Sequence, residues 1–311
     1  MSKKYEKHTI YFWLLTVVLS IASQFINENF FSNYSDYINQ FCFFLIITIG
    51  VSHGSLDNIK GKKVLNYLKI NNQIVFYLSY ITVSSIVILL WIYYPSITLI
   101  LFLLVASFHF GKEDIEFFYS KKNFLDIIFF TFKGSLIIFA PLFFKYNETI
   151  KIFEILMINK EILLFLNDQK FLINMFFIFS LISNLYFIYK SFDDWLNLVF
   201  DTWSILALNY FFSPVIAFSI YFCFLHSVRH TIGLIFSLDQ NNFKRGIKLF
   251  MLKALPLTIL TIIIYIGCLI ILSNFYSLDN AIITLIFIGL ASLTFPHILL
   301  EYILEKNEKK T

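Results

Sequence analysis

ALPLTILTIIIYIGCLIILS, residues 254–273, runs for twenty residues without an Asp, Glu, Lys or Arg. At about 1.5 Å of rise per residue, such a helix is about 30 Å long, the thickness of a bilayer's hydrocarbon core. Working outward, the 311-residue chain repeats the pattern. Further apolar stretches lie at 9 to 26, 37 to 53, 74 to 94, 96 to 110, 124 to 144, 171 to 189, 196 to 212, 215 to 236 and 281 to 303. Hydrophobic residues make up 59% of the chain and charged residues 14%, with a mean hydropathy of +0.76. A soluble domain averages about 25% charged. The expected fold class is therefore an all-α polytopic membrane protein, about ten transmembrane helices in a single transmembrane domain over 1–311 with short tails.

Pro95 separates the third and fourth stretches, and Ser213 with Pro214 the seventh and eighth, which predicts two tight hairpins. Lys and Arg collect in alternate connections: Lys3, Lys4 and Lys7; then Lys60, Lys62, Lys63 and Lys69; then Lys112, Lys121 and Lys122. They continue at Lys190, at Lys244, Arg245, Lys248 and Lys253, and at Lys306, Lys309 and Lys310. The positive-inside rule puts these and both termini on the cytoplasmic side of the cell membrane. Loops 27 to 36 and 274 to 280 carry no Lys or Arg. Segment 145 to 170 mixes lysines with Glu148, Glu154, Glu161 and Asp168, and its spacing predicts an amphipathic helix on the membrane surface.

These observations also exclude. With 24 Lys+Arg against 20 Asp+Glu, scattered among loops, no nucleic-acid-binding surface is indicated. Cys42, Cys223 and Cys268 lie in apolar segments without a CxxC pairing, so neither a disulfide framework nor a zinc ribbon is expected. The first apolar run is too long for a typical signal peptide and reads as a retained span. The 40 Phe accompany many Ile, Asn and Lys, a bias that an AT-rich genome explains as well as chemistry does.

The histidines are more telling. His8 lies in a tail, whereas His53, His109, His226, His230 and His297 stand in or at the ends of spans. Ionisable residues inside a bilayer are costly and by default functional. Counted from the outer helix ends, all five lie about 17 to 24 Å inward, in one slab roughly 7 Å thick. A single histidine near a helix end is usually an interfacial or hydrogen-bonded residue; five at one depth argue for a site.

His226 and His230 form HSVRH, an i,i+4 pair able to reach one metal ion. Each of the others precedes a carboxylate by four residues: His53 and Asp57, His109 and Glu113, His297 and Glu301. A carboxylate so placed can hold the ring N–H that faces away from a metal; plain ion pairs would show the same spacing. Imidazole suits Zn, Cu, Fe and Ni. An open four-histidine site suits ferrous iron handling O2, and a closed tetrahedral one suits zinc. Lys133, inside the fifth span, is placed to pair with a carboxylate or to snorkel. Arg229 is placed to pair with Asp57 or Glu113, or to anchor the cytoplasmic side.

At these residues the chain resembles the Brp/Blh family of membrane-embedded β-carotene 15,15′-dioxygenases. The resemblance lies in GVSHGSLD (Gly50 to Asp57), SFHFGKED (Ser107 to Asp114), SPVIAFSIYFCFLHSVRH (Ser213 to His230) and FPHILLEY (Phe295 to Tyr302), in the family's order. It implies an iron-dependent oxygenase that cleaves all-trans-β-carotene at its central 15,15′ double bond with O2 to give two retinal molecules. It implies Fe2+ on His53, His109, His226 and His230 as metal-ligating and catalytic residues. His297 would ligate, orient substrate or support another residue, with Asp57, Glu113 and Glu301 behind the ligands. The lipid bilayer supplies the carotene, and an indirect link to a retinal-binding rhodopsin follows. Phe108, Tyr221, Phe222 and Phe295, with Phe110 and Phe224, are candidates to line a substrate tunnel; each could equally be an ordinary packing aromatic.

A membrane metal-ion or proton-coupled transporter is the alternative, since intramembrane histidines also mark ion pathways. A di-iron desaturase or hydroxylase would carry more histidines. A retinal-binding opsin has seven spans and its lysine in the last of them.

Overall fold

A computed structural model describes residues 2–26, 34–119 and 123–308; the side chains of Ser2, Lys3, His53, Phe124 and Glu308 lie outside that description. The expected basic positions Lys121, Lys122, Lys309 and Lys310, and most of the loop 27 to 36, also fall outside the described residues.

The described chain is helical throughout, with no β-strand among the described residues. Hydrocarbon offers the backbone no hydrogen-bond partners, so spans must satisfy their own N–H and C=O groups as helices. In order, these are α1 Ser2–Phe25, α2 Ser35–Leu45, α3 Asp57–Tyr67, α4 Ile74–Tyr93, α5 Pro95–Glu113, α6 Phe124–Gly134, α7 Leu136–Phe144 and α8 Tyr146–Ile155. Then follow α9 Lys160–Asp168, α10 Lys170–Lys190, α11 Trp195–Phe211, α12 Pro214–Ile220, α13 Val228–Leu238, α14 Phe243–Leu272, α15 Leu278–Thr284 and α16 Leu290–Glu308. Among the described residues, nine helices are long and apolar enough to cross a membrane.

The seventh expected span, 196 to 212, forms as α11, Trp195–Phe211. α11 has 17 residues, about 25 Å, and is shorter than the hydrocarbon core. It is also the helix that carries the buried carboxylate Asp201. Both hairpins form: only Tyr94 separates α4 from α5, whose first residue is Pro95, and Phe212 and Ser213 separate α11 from α12. The amphipathic segment is two helices, α8 and α9, rather than one. Met157 between them has φ 63°, a left-handed conformation that breaks the helix. Ile152, Phe153, Leu156, Ile158 and Leu163 are buried against the main core while Lys151, Glu154, Lys160 and Glu161 stay exposed, so both helices are amphipathic as expected.

Three π turns interrupt the spans: Ile46–Gly50 after α2, Tyr221–Ser227 between α12 and α13, and Leu285–Gly289 between α15 and α16. Such bulges recur at functional sites because the widened turn re-aims side chains. The second contains His226. His8, expected in a tail, lies in α1 and donates from Nε2 to the Phe224 carbonyl of this turn at 2.8 Å. After the first π turn, a 3-10 stretch, Val51–Leu56, leads into α3. Residues 57–67, expected as a loop because of their lysines, continue the helix.

α5 and α6 meet backbone to backbone at Gly111 and Gly134. A Cβ on Gly111 would collide with the Phe130 carbonyl, and one on Gly134 with the Ser107 carbonyl. Small residues permit such close approach in membrane bundles. This contact fixes the end of α5, where His109, Glu113 and Asp114 stand.

Candidate metal centre

Four histidines converge from three spans: His109 on α5, His226 in the π turn and His230 on α13 of the same span, and His297 on α16. All four are buried. Ring centroids are 5.3 Å apart for His109 and His226, 5.5 Å for His109 and His297, and 5.9 Å for His230 and His297. His53's side chain lies outside the described ones. Its segment reaches the centre: a Cβ on neighbouring Gly54 would stand 3.9 Å from His297 Nδ1.

Three of the rings are held by carboxylates, and each pairing crosses between segments. His226 Nδ1 lies 3.0 Å from Asp114 Oδ1, His230 Nδ1 3.0 Å from Glu113 Oε2, and His297 Nδ1 2.9 Å from Asp57 Oδ2. An ionised carboxylate only accepts, so each Nδ1 is the donor and Nε2 is the nitrogen that can ligate a metal. The i,i+4 expectation is corrected here. Glu113 serves His230 rather than His109, and Asp57 serves His297; only His297 and Glu301 approach in register, with Nε2 to Oε1 at 3.6 Å.

Glu301 stands among the rings. Its Oε1 is 3.8 Å from His230 Nε2, its Oε2 is 3.9 Å from His109 Nδ1, and Lys60 Nζ donates to Oε1 at 2.7 Å. Two groups, His109–His297–Glu301 and Glu113–His230–Glu301, have ligand atoms within 4.8 Å of one another. Donors about 2.0–2.2 Å from one ion lie roughly 3 to 4.4 Å apart. Two histidines and one carboxylate make the donor set of non-haem ferrous oxygenases. The donor set is therefore of the kind that can hold a metal ion, iron included, with a small inward movement of the side chains.

Around this centre a further ring of contacts holds the carboxylates. Tyr221 Oη donates to Asp114 Oδ2 at 2.6 Å, and Tyr80 Oη to Asp57 Oδ2 at 3.1 Å. Arg229, expected to meet Asp57 or Glu113, turns away from the histidines of its own motif. It makes a bidentate pair with Asp201 (2.7 and 2.9 Å) and also donates to Thr9 Oγ1 and the Asp114 carbonyl, both at 2.9 Å. Lys133 is buried, within electrostatic reach of Asp114 and Asp201. The sequence reading missed Asp114, Asp201, Tyr80 and the inward role of Lys60. The adjacent acids of GKED were the signal for Asp114.

An apolar cavity of about 240 Å³ opens on one side of the centre, with His109, His226 and His297 in its wall. Phe110 and Phe222 line it, their rings 4.7 and 5.8 Å from that of His226. Its wall also includes Ile81, Leu260 and Ile264, apolar side chains that are 61%, 52% and 54% exposed on the outer surface of the bundle. The tunnel expectation narrows accordingly. Phe222 and Phe110 line the cavity, whereas Phe108 packs on Phe130, Tyr221 holds Asp114, and Phe295 packs against the main core. On the other side lies a polar pocket of about 390 Å³, lined by Lys60, Lys63, Lys112, Glu113, His230 and Glu301 among others.

Fold and site together define an integral membrane protein whose polar interior is a histidine–carboxylate cluster facing an apolar cavity. The chain belongs to the beta-carotene 15,15'-dioxygenase family, whose profile matches residues 44–305. The Beta-carotene 15,15'-dioxygenase of uncultured marine bacterium 66A03 is 28% identical over 257 residues, covering 82% of this chain and 90% of that protein. No solved structure matches.

Proposed function

We propose that the protein is an iron-dependent oxygenase that cleaves all-trans-β-carotene at its central 15,15′ double bond with O2, giving two retinal molecules. The observation that carries this reading is the apolar cavity with three of the converging histidines in its wall. A polyene is insoluble in water, and an opening toward lipid lets it enter without crossing an aqueous phase. One C=C and one O=O bond are replaced by two C=O bonds, so the balance needs no external electrons.

Iron, when bound, would supply the activation of O2. His109, His297 and Glu301 are one set that would hold it, with His226 and His230 beside them and His53 carried by the family resemblance. Asp114, Glu113 and Asp57 fix three imidazoles with Nε2 forward. Lys60 offsets the charge of Glu301. Phe110 and Phe222 present flat rings to the polyene and keep water from the reacting bond. The protein lies in the cell membrane with both termini cytoplasmic: α11, crossing as a short tenth span, keeps the count even, and the polar pocket then faces the cytoplasm. Retinal released into lipid is available to a retinal-binding rhodopsin.

Expression in cells that accumulate β-carotene tests the reading. Loss of orange colour with appearance of retinal is expected. Unchanged pigment without retinal would overturn it, and metal transport by proteoliposomes without pigment turnover would favour the transporter.

A further inference from the structure

The histidine cavity does not end at Phe110. A narrow cavity of about 70 Å³ begins there, lined by Phe102, Leu103, Ala106 and Phe110 among others, so Phe110 borders both. Beyond it lies the largest of these spaces, about 560 Å³, which shares Leu103, Ile138 and Phe153 with the narrow one. The narrow space lies against α5 from Phe102 to Phe110 and the largest beside it from Ser96 to Ser107, so that together they extend from the histidine cavity toward the Ser96 end of α5. The distal chamber is walled by residues of α5, α6, α7, α8, α9 and α10, opens at the outer surface beside Ile100, Leu104 and Phe165, and holds none of the histidines or carboxylates of the centre.

Its lining specifies an apolar occupant. The hydroxyls that border it are already used: Ser107 donates to Leu103 O (2.6 Å), Thr131 to Ile127 O (3.0 Å) and Ser135 to Phe132 O (2.8 Å), while Ser96 Oγ accepts from Asn159 N (3.0 Å). What remains for a ligand is Leu, Ile and Phe surface. Length agrees as well. A C40 polyene is about as long as the 30 Å hydrocarbon core is thick, leaving about 15 Å on either side of its middle bond. Along α5, Leu103 is about 9 Å from His109, Leu99 about 15 Å and Ser96 about 20 Å.

We propose that the distal chamber is the binding site for one half of an elongated apolar polyene, which threads past Phe110 and Ala106 while its other half stays in the histidine cavity and its lipid-facing opening. The depth of the chamber then acts as a ruler that places the middle bond of a C40 substrate beside the histidines. This rests on the carotene-cleavage reading.

The test uses the full-length, iron-loaded protein in detergent with two substrates: β-carotene, and an apocarotenal that keeps one intact half and is truncated shortly beyond the scissile bond. Ile100→Trp and Leu104→Trp protrude into the distal chamber from positions 50% and 54% exposed, where an added ring is tolerated by the fold. Each should lower kcat/KM for β-carotene about tenfold or more and leave the truncated substrate within about twofold of wild type. The same variants should also weaken β-carotene binding to the metal-free protein, followed by its visible absorption. Equal effects on both substrates, or none on either, would overturn the proposal and leave the chamber to a lipid tail. Wild-type protein that cleaves neither substrate would instead remove the reading beneath it.

Discussion

The two spaces that flank the histidine centre are built from opposite chemistry. The cavity beside His109, His226 and His297 is walled mainly by apolar side chains and reaches the apolar outer surface of the bundle at Ile81, Leu260 and Ile264. The pocket beside His230 and Glu301 is walled by lysines and glutamates. A centre placed at such a boundary can take an insoluble polyene from one side and meet ions and water on the other. The dyads divide in the same way: Asp57 with His297, and His226 of the Asp114 dyad, line the apolar side, and Glu113 with His230 the polar one.

The contrast can be broken at its centre first. Glu301→Ala removes the carboxylate that stands among three imidazoles, and should abolish both bound iron by metal analysis and retinal formation. Retention of iron and activity would remove Glu301 from the ligand set. Arg229→Met leaves Asp201 buried without its partner. Breaking a buried pair costs about 3–5 kcal/mol, so thermal unfolding in detergent should show a lower midpoint. Asp114→Asn keeps the shape of the His226 dyad but weakens its acceptor. Metal affinity should fall about 10–100-fold, measured by chelator competition, with activity partly restored at high iron. The two sides then separate. Ile81→Trp at the lipid-facing opening should raise KM for β-carotene about tenfold with unchanged iron content. Lys63→Ala, exposed on the polar side, should leave KM within about twofold, since surface changes of this kind stay near ±0.5 kcal/mol.

Much of this arrangement is legible in the residues themselves. Span positions follow from hydropathy, because the bilayer admits only helices, and intramembrane histidines stand out because each is costly there. His109, His226, His230 and His297 do come together. Their partners were not legible, because i,i+4 spacing describes one helix and the dyads are made between segments. Glu113 lies one turn after His109 yet serves His230 across the bundle. Asp114, its neighbour, points to His226. Lys60 reads as a loop residue because lysines mark span ends; it lies on α3, whose start is set by the 3-10 stretch before it, and turns inward to Glu301. α11 was legible too: the stretch 196 to 212 forms as Trp195–Phe211, but hydropathy does not show that its Asp201 is buried against Arg229.

The central claim is that the histidine–carboxylate centre holds iron for cleavage of a polyene drawn from lipid. Purified protein, assayed for bound metal and for products of β-carotene in the same preparation, tests it most directly. The account predicts bound iron, retinal as the product at two molecules per carotene consumed, and loss of both on chelation with recovery on adding ferrous iron. Retinal formation that survives complete removal of iron, or bound iron with no pigment turnover, would contradict it.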